Sequence, residues 1–252
     1  MTDMNTIIKS LLVCFSIFNV SSSYAQIKLS GFEYGLKAGT FIYQGDLVRS
    51  RFGSFKLISP MVAISVGKLL NPSLTARVNF ASGRLTADEA IYQNPVWKQQ
   101  RNFAFSTPVK ELSADLIWNI RGKNAGYFGS RVSPYLFAGA GISFLNIRRD
   151  WSRMNSEIFG PESDVVKGLE IDAVNPLPKL IPVFPAGAGI RYYLSPQISL
   201  IAEGAYRFLT TDYLDGFKYA ANNKRKDSYY GLSAGIVYTI YHDKYKCPTA
   251  LR

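Results

Sequence analysis
From Leu74 to Phe80 the chain reads Leu-Thr-Ala-Arg-Val-Asn-Phe, alternating apolar and polar residue by residue, and this period of two recurs from Glu33 to Ile240. Successive side chains of a β-strand point to opposite faces, so such a segment folds as a ribbon with two unlike sides. Leu74, Ala76, Val78 and Phe80 take one side; Thr75, Arg77 and Asn79 take the other. Met61 to Lys68 and Lys110 to Ile120 split in the same way. Further copies run from Tyr135 to Phe144, Phe184 to Tyr193, Ile198 to Phe208 and Tyr229 to Ile240. With Glu33 to Phe41 the pattern predicts eight strands. After residue 20 no stretch approaches the roughly 18 consecutive apolar residues of a spanning helix, which excludes a helical membrane protein.

The contents of the two faces decide how the ribbon closes. One face is Leu, Ile, Val, Ala and aromatic throughout, with Tyr34, Trp118, Tyr192, Tyr206, Tyr230 and Tyr238 among its members. The other carries many glycines and both signs of charge: Glu33, Lys37, Arg77, Glu111, Asp115, Arg191, Glu203 and Arg207. Four acids and four bases suit a narrow, crowded lumen in which they pair while the glycines make room for the long arms. The apolar face then meets lipid, as in an outer-membrane barrel whose strands read apolar-out and polar-in. A soluble lipocalin-like barrel would need charged outer faces. The expectation is an all-β, eight-stranded antiparallel barrel integral to a bacterial outer membrane.

Connection lengths agree. The first, third, fifth and seventh connections are long, near Ile42 to Ile58, Leu85 to Pro108, Arg148 to Lys179 and Thr211 to Asp227, whereas Asn71-Pro72 and Ser195-Pro196 close the second and sixth at once. That alternation matches long external loops and short periplasmic turns, with an even strand number placing both termini in the periplasm. The fourth connection, Arg121 to Arg131, is the one longer periplasmic turn. Pro176, Pro178, Pro182 and Pro185 at the exit of the third long loop predict an extended loop and not a second domain. Residues 1–25 have the form of a cleaved secretory signal: Lys9, an apolar run from Ser10 to Val20, then small residues at Ser23 and Ala25. Residues 26–240 form the barrel and 241–252 a periplasmic tail.

Chemistry-bearing residues are scarce. The chain has a single histidine, His242, in the tail, and two cysteines, Cys14 in the signal segment and Cys247 in the tail. A Cys/His zinc site, a redox pair and a His-based catalytic triad have no material, so no catalytic, cofactor or metal residues are assigned. Gln44-Gly45-Asp46 and Thr211-Asp212-Tyr213-Leu214-Asp215 could face a cation, but Asp and Thr at strand exits more often make local turns. Of the net charge of +11, Lys28, Arg121, Lys123, Arg131, Lys244, Lys246 and Arg252 against Asp243 put a surplus of six on the expected periplasmic side. Arg121, Lys123, Arg131, Lys244 and Lys246 are therefore the candidate partner contacts. The basic residues are not interleaved with stacking aromatics, so nucleic acid is not expected. Lipid is the other expected partner.

Four ordered motifs carry a resemblance: Gly39-Thr40-Phe41-Ile42-Tyr43-Gln44-Gly45-Asp46-Leu47, Arg101-Asn102-Phe103-Ala104-Phe105, Pro134-Tyr135-Leu136-Phe137-Ala138-Gly139 and Thr211-Asp212-Tyr213-Leu214-Asp215. Together they resemble a family of small outer-membrane barrels of Bacteroidetes that includes the PorG component of the type IX secretion system. The resemblance implies a non-enzymatic barrel that attaches the periplasmic ring of the lipoprotein PorK and its partner PorN to the outer membrane. The alternative is a stand-alone structural or ligand-binding barrel that acts through its external loops.

Overall fold
The computed structural model describes residues 31–48, 53, 57–92, 94–122, 131–210, 213–221 and 227–241. The expected signal segment and the tail from His242 lie outside them. Eight long strands form the wall: β1 (Gly31–Gln44), β2 (Ser59–Leu69), β3 (Leu74–Asp88), β4 (Ala104–Asn119), β5 (Val132–Leu145), β7 (Leu180–Tyr193), β8 (Ile198–Leu209) and β9 (Ser228–Tyr241). Each pairs antiparallel with its neighbours, and β1 closes on β9 from Gly31 opposite Tyr241 to Gln44 opposite Ser228. The ring has no free edge, which removes the edge-pairing liability of an open sheet. A three-residue strand, β6 (Arg148–Asp150), adds a short flap on β4 opposite Ala104 to Ser106.

The alternation is explicit in the burial. Along β2 every second residue is buried and the residues between are exposed, with Val62 59% and Ile64 58% accessible on the outer wall. So much apolar surface facing outward is stable only against lipid. The strands are longer than the alternating segments suggested. β3 and β4, of 15 and 16 residues, exceed the roughly 9–11 needed to cross a bilayer and stay paired out to Asp88 opposite Ala104. Beyond the lipid belt the sense of the alternation inverts: Arg84, Thr86, Ser106 and Pro108 lie outside, while Leu85, Ala87, Phe105 and Val109 are buried inside. Read from sequence, that inversion looked like the end of these two strands.

Connections 45–58, 89–103, 146–179 and 210–227 leave one end of the barrel, and 70–73, 120–131 and 194–197 leave the other. The long ones are not structureless. The second contains a 3-10 turn (Glu89–Ile91) and helix α1 (Val96–Arg101), which ends on Asn102 in the left-handed region. The third contains β6 and helix α2 (Asp164–Val174), capped by Ser163 Oγ accepting from Val166 N at 3.3 Å. An extended third loop was expected. Instead the Ser163 cap and the buried Gly168, Leu169 and Asp172 hold a helix against the barrel mouth. Pro182 and Pro185, expected at the loop exit, lie within β7, whose strand begins at Leu180.

Candidate functional site
All eight charged residues assigned to the lumen are buried, none more than 7% exposed, and they pair in three layers. Nearest the short turns, Arg191 grips Glu33 with Nη1 and Nη2 at 2.5 and 3.0 Å, and Thr239 Oγ1 donates to the same carboxylate. In the middle, Arg77 bridges Asp115, with Nη2 to Oδ2 at 3.0 Å, and Glu203. Glu203 also accepts from Lys37 Nζ at 2.7 Å and Tyr135 Oη at 2.9 Å. Towards the long loops, Arg207 Nε donates to Glu111 at 2.9 Å, and Tyr229 Oη donates to the same group at 2.8 Å. Aromatic faces fill the remaining width: Arg77 lies 4.8 Å from the Phe137 ring and Arg207 4.9 Å from Phe41.

The glycines of this face do two jobs. A Cβ on Gly231 would meet Arg207 Nη1 at 2.6 Å, so that glycine makes room for a long arm. A Cβ on Gly235 would instead meet the backbone of β1 at Leu36 and Lys37, so that one permits a sharp bend in the wall. What space is left is small. Two cavities between the layers hold about 20 and 10 Å³, the larger lined by Asn79, Ser113 and Asp115, each with one buried oxygen that has no protein partner. Polar and about one water in size, they are not a conduit.

Above the third layer the interior becomes apolar. Phe41, Tyr43, Leu47, Phe103, Phe105, Leu145, Leu169, Leu214, Phe217 and Tyr229 form one buried cluster that joins the strand ends to all four long connections. Phe103 stacks on Phe217 at 4.5 Å, and Tyr43 meets Phe105 edge-on at 4.7 Å. Polar ties fasten the lid. Arg101 holds Glu89 at 2.5 and 2.9 Å, Lys98 Nζ donates to the Asp46 carbonyl at 2.5 Å, and Tyr43 Oη lies 2.7 Å from both Asp215 and Asp227. Asp172 accepts from the backbone N–H groups of Tyr219 and Ala220, locking α2 to the last long connection. Beside it, Tyr213 accepts from Asn175 Nδ2 at 3.1 Å, and burial, then the Asp172 charge, raise its phenol above the ordinary range.

Sequence reading missed this lid. Three of the four motifs quoted above meet in it: Tyr43 and Leu47 from the first, Arg101, Phe103 and Phe105 from the second, Leu214 and Asp215 from the fourth. The signal was present as aromatic residues at strand ends, which also suit a membrane interface. Asp215, considered there for a cation, accepts from Phe217 N at 2.8 Å and from Tyr43; Thr211 and Asp212 lie outside the described residues. Among the described residues no cluster of three His, Cys, Asp or Glu could hold a metal ion.

The short-turn end is closed by local bonds. Asn71 Oδ1 accepts from Ser73 N and Leu74 N, and Ser195 Oγ from Ile198 N. Of the candidate partner contacts, Arg121 and Arg131 are exposed and flank the start of β5, with Arg121 Nη1 donating to the Val132 carbonyl at 3.2 Å. Lys123, Lys244 and Lys246 lie outside the described residues. The structure therefore brings together all eight lumenal residues and places two of the five basic ones at the same end.

Among curated proteins no sequence matches this chain. Among solved structures it is similar to Neisserial surface protein A (16% identity, 82% of this chain and 96% of that one, TM-score 0.49), to the outer membrane protein OprG from Pseudomonas aeruginosa (9%, 86% and 99%, 0.48) and to Ail, the attachment invasion locus protein of Yersinia pestis (13%, 84% and 99%, 0.45). The family model described as a domain of unknown function, DUF6089, matches residues 8–240, and the chain belongs to that family.

Proposed function
We propose that this chain is a non-enzymatic scaffold of the outer membrane, with its long loops outside and its short turns in the periplasm, where it tethers a periplasmic secretion ring of the PorK/PorN type. The observation that carries this reading is the filled interior. Among the described residues, three ion-pair layers and an apolar lid leave no channel and no substrate-sized lumenal cavity, so we assign the work to the two ends and the wall. The Ser143–Tyr229–Glu111 hydrogen-bond chain inside the barrel is neutralised by Arg207 and reads as structural. At the short-turn end Arg121 and Arg131 stand exposed on the one turn longer than closure needs, and charge complementarity steers association with an acidic partner.

The test replaces Arg121, Lys123 and Arg131 with Glu and recovers the barrel from detergent-solubilised outer membrane. Ring proteins co-purify with the wild type and are lost from the triple variant at normal barrel abundance. Ring attachment and secretion at wild-type level in the triple variant would contradict it. A second reading, a barrel acting through its external loops, draws on the Val96-Trp97 step of α1, whose side chains stand 59% and 50% exposed on the lid. A barrel that purifies alone from a strain with intact ring genes would favour it.

A further inference from the structure
The outer wall is almost free of charge. Among the described strand residues that face outward, the charged ones are Lys68 near the short turns and a single sector at the other end: Arg84 on β3, Lys110 on β4, and Arg148 with Asp150 on β6, below Asp88 at the tip of β3. The upper ends of the remaining strands present Thr40, Leu180, Pro182, Phe184, Tyr206, Phe208, Tyr230 and Leu232 to the same side. A general interfacial girdle would spread its cations around the circumference; among the described strand residues they gather in one sector.

The ladder fixes their height and spacing. Phe80 lies opposite Leu112, and Leu112 opposite Ile142, which makes the last wholly apolar rung. The next outward rung holds Ser82, Lys110 and Phe144, the one above it Arg84 and Pro108, and the one above that Thr86, Ser106 and Arg148. Rung spacing and strand separation put the three cations roughly 7 to 14 Å apart at the backbone, within reach of one another's long arms. They sit where acyl chains give way to headgroups. The two carboxylates above them are already engaged: Asp88 with Arg153 at 3.1 Å and Asp150 with Ser152 N and Oγ at 2.9 and 2.7 Å. Arg84, Lys110 and Arg148 make no ion pair with any described residue.

Three unpaired cations at headgroup depth, over an apolar wall and beside Phe144, form a site for an anionic lipid headgroup. We infer that the β3–β4–β6 sector binds the phosphorylated glycolipid of the outer leaflet, its phosphates held by Arg84, Lys110 and Arg148 and its acyl chains lying along Phe80, Leu112 and Ile142. A bidentate guanidinium suits phosphate, and two guanidiniums with one ammonium, set this far apart, suit a headgroup that carries more than one. The placement rests on the outward orientation of the long loops given above.

The probe is diphosphoryl lipid A, added in detergent to the purified full-length barrel and read by native mass spectrometry. Wild type retains the lipid, the Arg84→Gln/Lys110→Gln/Arg148→Gln variant loses it by ~tenfold or more, and Lys68→Gln keeps it; heat-modifiable mobility reports that each barrel is folded. If the triple variant does not assemble, the three single substitutions carry the same comparison. Equal retention by wild type and variant, equal retention of dephosphorylated lipid A, or displacement by millimolar inorganic phosphate would each overturn the site. Orientation is scored separately: a cysteine at exposed Ser156 in the third long connection should label in intact cells and one at Gln197 in a short turn should not. A failed orientation with retained phosphate-dependent binding is thus distinguished from a failed site.

Discussion

At the scale of single residues, Arg77 has the most at stake. Its guanidinium serves Asp115 and Glu203 at once, and Glu203 is shared with Lys37 and Tyr135. Arg77→Leu leaves two carboxylates with too little positive charge in a space that water hardly enters. The expected cost is about 3–5 kcal/mol, because breaking a buried pair strands a charge. Arg153→Leu removes only a part-exposed pair with Asp88, side chains 44% and 29% accessible, and should cost about 0–1 kcal/mol. Thermal unfolding in detergent, followed by heat-modifiable mobility, separates the two. Equal melting points would mean that the lumen screens charge as water does. The eight lumenal charges were legible in sequence because each falls on the polar phase of a strict alternation. Which acid meets which base was not, since Lys37 to Glu203 and Arg191 to Glu33 join residues 166 and 158 positions apart, and register across the closure sets such pairs.

At the scale of elements, the lid departs most from what the alternation suggested. Strand number, order and the long–short rhythm of connections follow from period two and turn residues, both local signals. The lid follows from neither. Helix α2 has a cap and a few apolar residues, too little to read as a helix within a Pro-flanked, mixed-charge loop, and its stability comes from tertiary contacts. Leu169 enters the apolar cluster, and Asp172 ties to Tyr219 and Ala220. Asp172→Asn exchanges one acceptor oxygen for a donor beside two backbone N–H groups, costing about 1–3 kcal/mol of lid stability. Phe217→Ala removes the ring stacked on Phe103 and should cost about 3–5 kcal/mol. Because the barrel ladder does not pass through these residues, limited proteolysis should cut both variants in 146–179 and 210–227 while the strands resist. Wild-type resistance in both would show that the long connections are held by something other than this cluster.

At the scale of the whole molecule, the two halves of the interior divide the work of closing the barrel. Eight strands give a bore just wide enough for side chains. Charged pairs fill it in three layers from the short turns past the middle, and aromatic residues fill it above them under the lid. Among the described strand residues the outer wall is apolar along the lipid belt and charged only at its ends and in one sector near the long loops. The described residues leave no open path through the bore, and we accordingly place the work at the ends and wall. Planar-bilayer recording of the purified full-length protein tests this most directly. The filled interior predicts only brief, small events above the leak of the membrane; a stable, large ion conductance in folded wild-type protein would contradict it.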